Sequence, residues 1–345
     1  MVPETMKAAR FYGYGKPITI EDVPIPKPQK GDLLVKIRNA GLCHSDLMVI
    51  DNPESPYAIF LPLTPGHEAT GTVQDVSEGV TDFKPGDDIG MNFQYYHPCG
   101  ECKPCTRKIM ARGCPTNRMH GFTRDGFFAE YVVVDSKSCI KLPEGMDVAK
   151  AAPFFCAGLT SFHAVDGCGL KPGDWIAIVG VGGLGHLGVQ YAAKMGLKVA
   201  AVDVDESRLK VARDLGATLT WNGKDLADPA DFKKETDGGV AAACVFTDSQ
   251  LAYSTAVQIL DLGGILMCAG LPDAPIPVVP LQLALRQVRV RGAWLGSPDE
   301  MDKAISFSHK HGVVPHTESF TLNQLPEMIE KMKKGQFEGR MVVRF

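Results

Sequence analysis

The sequence predicts an α/β chain of two domains, one irregular and β-rich, the other a doubly wound parallel sheet. Three observations predict it. The 345 residues exceed what a single core usually fills. The texture changes near residue 158, from short β-type runs broken by Pro and Gly to strands alternating with helices. A glycine motif then follows an apolar strand directly and opens a helix.

The β-rich part carries the runs Leu33–Arg38, Thr70–Val76 and Ala129–Val134, with a loop at Pro24, Pro26 and Pro28 and a turn at Lys84-Pro85-Gly86-Asp87. Trp175–Val179 begins the alternating series. Leu184, Leu187, Tyr191 and Met195 recur at helical spacing, and Gly196 is placed to stop that helix. Strands are expected at Lys198–Val202, Val240–Phe246 and Ile265–Ala269, with helices at Glu206–Leu215 and Leu251–Leu260. The tail offers helices near Met301–Lys310 and Asn323–Lys334 and a strand at Val342–Phe345, which is expected to return to the first part because the sheet series has ended. The expected domains are therefore 1–157 with 295–345, and 158–294.

Hydrophobic residues at 45% and charged residues at 22% are ordinary for a globular chain, and a net charge of −4 disfavours nucleic acid or anionic membrane as partner. No apolar run is long enough to span a bilayer, and Met1–Lys16 lacks the charged-then-apolar layout of a signal peptide, so a cytoplasmic location is expected. In a reducing compartment, clustered cysteines point to metal rather than to disulfides.

Four of the ten cysteines fall in one stretch. Cys99, Cys102, Cys105 and Cys114 offer four thiolates on a compact loop, the closed tetrahedral set of a structural zinc site. Reduced core cysteines would instead sit in apolar runs, whereas Gly100, Glu101, Lys103 and Pro104 are polar or turn-forming. A second donor set is dispersed. Cys43-His44-Ser45-Asp46, Gly66-His67-Glu68 and Cys156 supply two thiolates, an imidazole and carboxylates, leaving room for one further ligand.

Gly180-Val181-Gly182-Gly183-Leu184-Gly185 fits G-x-G-x-x-G. The first glycine allows a tight turn, the second lets the backbone approach a pyrophosphate, and the third lets helix and strand pack closely. Alone the motif is weak. Asp203, ending the next strand, can bond the adenosine ribose hydroxyls and repel a 2′-phosphate. Together they predict a Rossmann domain that prefers NAD to NADP.

These residues in this order resemble the zinc-containing alcohol dehydrogenases of the medium-chain dehydrogenase/reductase family, nearest the short yeast-type branch. The likeness covers Met6 through Phe345 and rests on Gly41-Leu42-Cys43-His44-Ser45-Asp46, Pro65-Gly66-His67-Glu68, the four-cysteine loop, Cys156-Ala157-Gly158-Leu159-Thr160 and the glycine motif. It implies that the β-rich domain is GroES-like and that two zinc ions are bound per chain. Cys43, His67 and Cys156, the Cys₂His set known for these enzymes, would hold the catalytic zinc, with Glu68 as an occasional ligand. It further implies that Asp46 orients His67 and that Ser45 bonds the substrate oxygen and starts a proton relay. His44 and Arg340 would bind the pyrophosphate and Arg208 would lie at the adenosine ribose. Thr160, Thr247, Ala269 and Leu271 would lie at the nicotinamide half.

Three departures stand out. Met48 occupies the place of a relay histidine, so the proton would leave through His44, water or the ribose hydroxyl. Eight residues, not seven, precede Cys114, and Ser77 replaces a usual Gly. Met48, Phe93, Tyr95, Trp294 and Leu295 are candidates for an apolar substrate pocket. Primary alcohols and aldehydes are expected as substrates, and a homotetramer as the assembly. The alternatives are a secondary-alcohol or polyol dehydrogenase of the same family, a non-catalytic zinc-stabilised NAD-binding protein, and a zinc-ribbon nucleic-acid binder. All three catalytic ligands are present, which argues against the second, and the acidic balance argues against the third. Cys139, Cys168, Cys244 and Cys268 are expected as buried thiols. His97, His120, His163, His186, His309, His311 and His316 are expected as surface or packed residues.

Overall fold

A computed structural model of the protein describes residues 2–54, 60–106, 113–225, 229–272, 274–276, 278–296 and 298–345. The chain divides into two compact units, Met1–Cys156 with Ser297–His309 and Pro315–Phe345, and Ala157–Gly296 with Lys310–Val314.

The first unit opens with the antiparallel pair β1 (Thr5–Arg10) and β2 (Thr19–Pro24). The eleven-residue β3 (Asp32–Leu42) has only Lys36 and Arg38 outside the buried class, so both its faces are covered. It leads into the short helix α1 (His44–Ile50). Next come β4 (Glu68–Val76), β5 (Asp88–Asn92), the single turn α2 (Lys103–Thr106), β6 (Tyr131–Asp135) and β7 (Cys139–Lys141). Ser77 has a local use: its Oγ accepts the Asp32 N–H at 2.8 Å where β3 begins, a bond glycine could not make.

The second unit begins with α3 (Ala157–Asp166). It then alternates β8 (Trp175–Val179), α4 (Gly185–Lys194), β9 (Lys198–Asp203), α5 (Glu206–Asp214), β10 (Leu219–Asn222), α6 (Ala230–Glu235), β11 (Val240–Val245), α7 (Gln250–Ile259), β12 (Leu260–Cys268), α8 (Pro280–Arg286) and β13 (Arg289–Gly292). The six strands are parallel and run β10-β9-β8-β11-β12-β13 across the sheet. Numbered from β8, this is 3-2-1-4-5-6, the doubly wound order whose reversal point takes a dinucleotide. Ala177, Ala200 and Ala243 are fully buried on adjacent strands, so the sheet centre is narrow and helices can approach it.

The chain then gives α9 (Pro298–His311), β14 (Thr317–Phe320), α10 (Leu325–Lys333) and β15 (Arg340–Arg344). β14 and β15 join the sheet of the first unit, whose order is β14-β15-β3-β4-β5-β7 with β6 also on β3. Residues 310–314 stay with the second unit, where the Gln190 amide both donates to the Val314 carbonyl (2.9 Å) and accepts its N–H (3.0 Å).

Candidate metal and dinucleotide sites

Three chain segments bring the dispersed donors together. Cys43 caps the N-terminus of α1 directly after β3. His67 and Glu68 stand where β4 begins, and antiparallel pairing sets Glu68 opposite Gly41. Cys156 follows a turn of 3₁₀ helix at Ala152–Phe155. One donor atom from each of Cys43, His67, Glu68 and Cys156 lies within 4.8 Å of the other three, and all four residues are buried. Gly41 permits this approach, because a Cβ there would collide with the Glu68 carboxylate.

Asp46 organises the cluster from behind. One carboxylate oxygen accepts the Cys43 N–H at 2.9 Å and the other bonds His67 Nδ1 at 2.8 Å. A carboxylate only accepts, so Nδ1 carries a proton and Nε2 is the nitrogen left for a metal. That Nε2 is buried with no partner, the state expected of a nitrogen shaped for a metal. Donation from the Cys156 thiol, together with Arg340 and His67, holds Cys43 well below the usual thiol range, while Cys156 is pushed up. Burial works against charge on His67, yet Asp46 and Cys43 together outweigh it and raise the imidazole pKa, so a metal would take the place of the Nε2 proton. The donor set and its thiolate suit zinc.

The Glu68 and Arg340 side chains bond each other and are both buried. Burial pushes Glu68 up to about 8 despite Arg340, and the second carboxylate oxygen stays unbonded, as does Arg340 Nε. Arg340, expected at a pyrophosphate, is thus paired to the acid behind the donor cluster, 272 residues away in sequence, a contact that sequence reasoning missed. The same reasoning missed Phe122. Its ring stacks on Phe93 (centroids 5.2 Å apart), and the two rings lie 5.3 and 4.8 Å from the His67 ring, walling it with apolar surface. Ser45 Oγ lies 4.0 Å from Cys43 Sγ, His44 is exposed at the first position of α1, and Met48 stands one turn beyond Ser45 on the same face.

The second donor set is superficial. The donor atoms of Cys99, Cys102, Cys105 and Cys114 also lie within 4.8 Å of one another, but only Cys114 is buried. Backbone N–H groups point at the sulfurs, Cys99 N–H to Cys114 Sγ at 3.2 Å and Cys102 N–H to Cys99 Sγ at 3.4 Å. Those of Cys99 and Thr116, with the Thr116 hydroxyl, pull Cys114 down to about 5. An N–H from Cys105 favours the Cys102 thiolate, but burial and neighbouring thiols push it up to about 12. Residues 107–112 of the eight-residue spacer lie outside the described residues. All ten cysteines are free thiols. His97, read as bland, adopts φ 51° and bonds the buried Asp32 at 2.8 Å.

In the second unit the glycine loop leaves β8 at Gly180, whose φ of 88° suits glycine, and enters α4 at Gly185, where a Cβ would strike the Gly180 carbonyl. Nothing lies within 4 Å of a Cβ built on Gly182, so packing does not demand glycine there and the loop keeps an open face. Leu184 at the N-cap offers no side-chain acceptor, and the His186 and Leu187 N–H groups bond the Gly182 and Leu184 carbonyls at 3.1 and 3.0 Å, so the turn is closed by its own backbone. Gly183 and Leu184 lie in this turn. Asp203 ends β9 with one oxygen accepting the Val181 N–H at 2.7 Å and Arg208 3.9 Å away, so it also props the loop it serves. Thr247 packs on Gly180 after β11, Ala269 follows β12, Leu271 is exposed, and Thr160 is buried on α3. The loop, the helix end and the acid at the reversal point suit a dinucleotide.

Comparison with known proteins gives a uniform picture. The family model of the alcohol dehydrogenase GroES-like domain matches residues 29–144, and that of the zinc-binding dehydrogenases matches residues 183–310. An alcohol dehydrogenase of Geobacillus stearothermophilus is 38% identical over 98% of this chain and 99% of its own. One from Moraxella sp. (strain TAE123) is 36% identical over 99% of both chains. The alcohol dehydrogenase of Aeropyrum pernix superposes with a TM-score of 0.89 at 31% identity, covering 98% of this chain and 100% of that one. The acetophenone reductase of Geotrichum candidum, solved in complex with NAD, gives 0.87 at 28% identity over 100% and 98%. No helix among the described residues is long and apolar enough to cross a membrane.

Proposed function

The chain belongs to the zinc-containing alcohol dehydrogenases of the medium-chain dehydrogenase/reductase family, and from that premise we propose that it interconverts primary alcohols and aldehydes with NAD, using two zinc ions per chain. The observation that carries this reading is the buried donor cluster with its unbonded His67 Nε2.

Cys43, His67 and Cys156 hold the catalytic zinc, with Glu68 as an occasional ligand, and Cys99, Cys102, Cys105 and Cys114 hold the structural one. When bound, the catalytic zinc supplies the Lewis acidity that makes an alcohol hydroxyl acidic near neutral pH, and NAD supplies the hydride acceptor. The chain supplies placement and proton handling. Asp46 fixes the His67 ring so that Nε2 faces the donor cluster. Ser45 takes the proton from the substrate hydroxyl and passes it to His44, water or the ribose hydroxyl, since Met48 carries none. Phe93 and Phe122 exclude water from the imidazole. Gly180, Gly182, Gly183, Leu184 and Gly185 seat the pyrophosphate, which the resemblance also assigns to His44 and Arg340. Asp203 and Arg208 take the adenosine ribose, and Thr160, Thr247, Ala269 and Leu271 the nicotinamide half. Met48, Phe93 and Tyr95 favour a substrate with an apolar chain or ring.

We place the enzyme in the cytoplasm, in keeping with ten free thiols, and assign it a homotetramer. Self-association is supported by β13, an edge strand with no buried residue, and by Leu281 and Leu285, 66% and 73% exposed. Metal analysis together with NAD- and NADP-coupled assays on primary and secondary alcohols, before and after chelation, tests the reading. Two zinc ions per chain and NAD-linked turnover lost with one of them are expected. One zinc and no turnover on any alcohol would overturn it.

A further inference from the structure

The first unit contains a cavity of about 690 Å³ lined by none of the residues of either cysteine cluster. Its floor is apolar: Met6 of β1, Val23 of β2, and Ala129, Tyr131 and Val133 on the approach to and along β6 belong to one packed cluster. Three guanidinium groups, Arg10, Arg118 and Arg124, line the same space, and the only carboxylate among its lining residues is Asp125.

That carboxylate is already used. Asp125 Oδ1 accepts from Arg10 Nη1 at 2.9 Å and from the Thr64 N–H at 2.7 Å, and Arg10 also donates to Thr64 Oγ1 and the Pro62 carbonyl. The two remaining guanidiniums have no carboxylate within 4.0 Å among the described residues. Arg118 bonds only the carbonyls of Pro115 and Asn117. The Arg124 guanidinium carbon lies over the Tyr96 ring, 3.4 Å from its centroid. Tyr96 is itself held, because its hydroxyl donates to the fully buried Asp32 at 3.0 Å. Beyond that contact and a bond to the Tyr96 side chain, the Arg124 guanidinium keeps a further N–H edge. Such an edge fits a carboxylate through two parallel bonds, a match that a lysine could not make.

Two guanidiniums with no carboxylate partner among the described residues, the exposed Arg118 and the half-buried Arg124, stand above an apolar floor and fit a ligand with one anionic end and a hydrocarbon body. We propose that this cavity is a second ligand site, separate from the catalytic cluster, that binds a monocarboxylic acid with an alkyl or aryl body. The carboxylate is held by Arg124 and Arg118, and the body lies on Met6, Val23 and Tyr131. A bare inorganic anion would leave that floor wet, and a neutral amphiphile would leave both cations unmatched.

Calorimetry of the zinc-loaded enzyme with octanoate, octanamide and inorganic phosphate tests the site. Wild-type protein and an Arg118→Gln/Arg124→Gln variant are compared, so that any carboxylate bound at the unaltered catalytic site cancels. The expected result is one octanoate site in the wild type that the variant weakens by about ten- to a hundredfold, the range for losing bonds to a charged group. Octanamide binds weaker than octanoate by a similar factor, and alcohol turnover is the same in both proteins. Arg124→Lys, which keeps charge but loses the fork, falls between them. Equal binding of octanoate to wild type and variant would overturn the site. Octanamide binding as well as octanoate would reduce it to an apolar groove. Displacement of octanoate by equimolar phosphate would make it a bare-anion site, against the proposal. A change of oligomeric state in the variant without octanoate binding to the wild type would assign the cavity to a contact with a second copy, and the proposal would fail.

Discussion

Two sets of cysteines in the same unit solve the same ligation problem in opposite ways. The cluster at Cys43, His67 and Cys156 is buried and braced before any metal arrives: Asp46 fixes the imidazole, Arg340 bonds Glu68, and two phenylalanine rings exclude water. The cluster at Cys99, Cys102, Cys105 and Cys114 sits on a loop with one short turn of helix, and its support is local, from N–H groups of the loop and the Thr116 hydroxyl. In the first, the sheet carries the site, so the metal is free to serve chemistry. In the second, the ion itself supplies the missing core, so metal binding and local folding are one event.

The sharpest way to break this contrast is at Cys43. Cys43→Ser should reduce alcohol turnover to background while leaving NAD binding, followed by titration of the bound dinucleotide, unchanged. Normal turnover would sink the scheme. Asp46→Asn comes next, with a loss of about 10–100-fold in metal affinity or kcat/KM, because the amide cannot hold the His67 tautomer in place. The matching change at the surface set, Thr116→Ala, removes a hydroxyl 3.2 Å from Cys114 Sγ and should alter metal affinity by no more than about fivefold. Equal losses from the two variants would erase the distinction between braced and local sites.

Loss of a ligand from the loop should show in stability instead. Cys102→Ser is expected to remove one zinc per chain and to lower the melting temperature by on the order of 5 °C, equivalent to about 2 kcal/mol. Turnover measured well below that temperature should stay near wild type. A variant that melts normally after losing one zinc would show that the loop needs no metal to hold its shape.

The same contrast explains what the sequence made legible. The loop cysteines are close in the chain, so spacing alone revealed them, as it did the glycine turn and the strand and helix series on either side. The buried cluster draws on segments from Cys43 to Cys156, and only the resemblance joined them. Phe122 carries no pattern that separates it from ordinary core, and Arg340 meets Glu68 across 272 residues, so neither contact has a local signal. β13, with every residue exposed, shows no alternation, and β5 is too short and too polar at its start to stand out. His97 was illegible because its partner, Asp32, lies 65 residues away on β3.

The smallest expected effect concerns His120, which is bonded to Phe93, a wall of the buried cluster. Its N–H donates to the Phe93 carbonyl at 2.9 Å, its Nδ1 bonds the Asp125 carbonyl at 2.9 Å, and its ring stacks on Phe127. Burial, with the nearby Arg124 charge, lowers its pKa to about 3 from an ordinary value near 6.5. Between those values the unfolded chain binds a proton that the folded chain refuses. Stability from this group is therefore complete well above pH 6.5 and is lost as pH falls toward 3, by about 0.7 kcal/mol between pH 7 and pH 6. Denaturant unfolding of wild type and His120→Gln at the two pH values reads it as a difference of slopes, so that other histidines and the cost of the substitution itself cancel. Parallel slopes would mean that water reaches this imidazole, and that the dry environment of the buried cluster ends before His120.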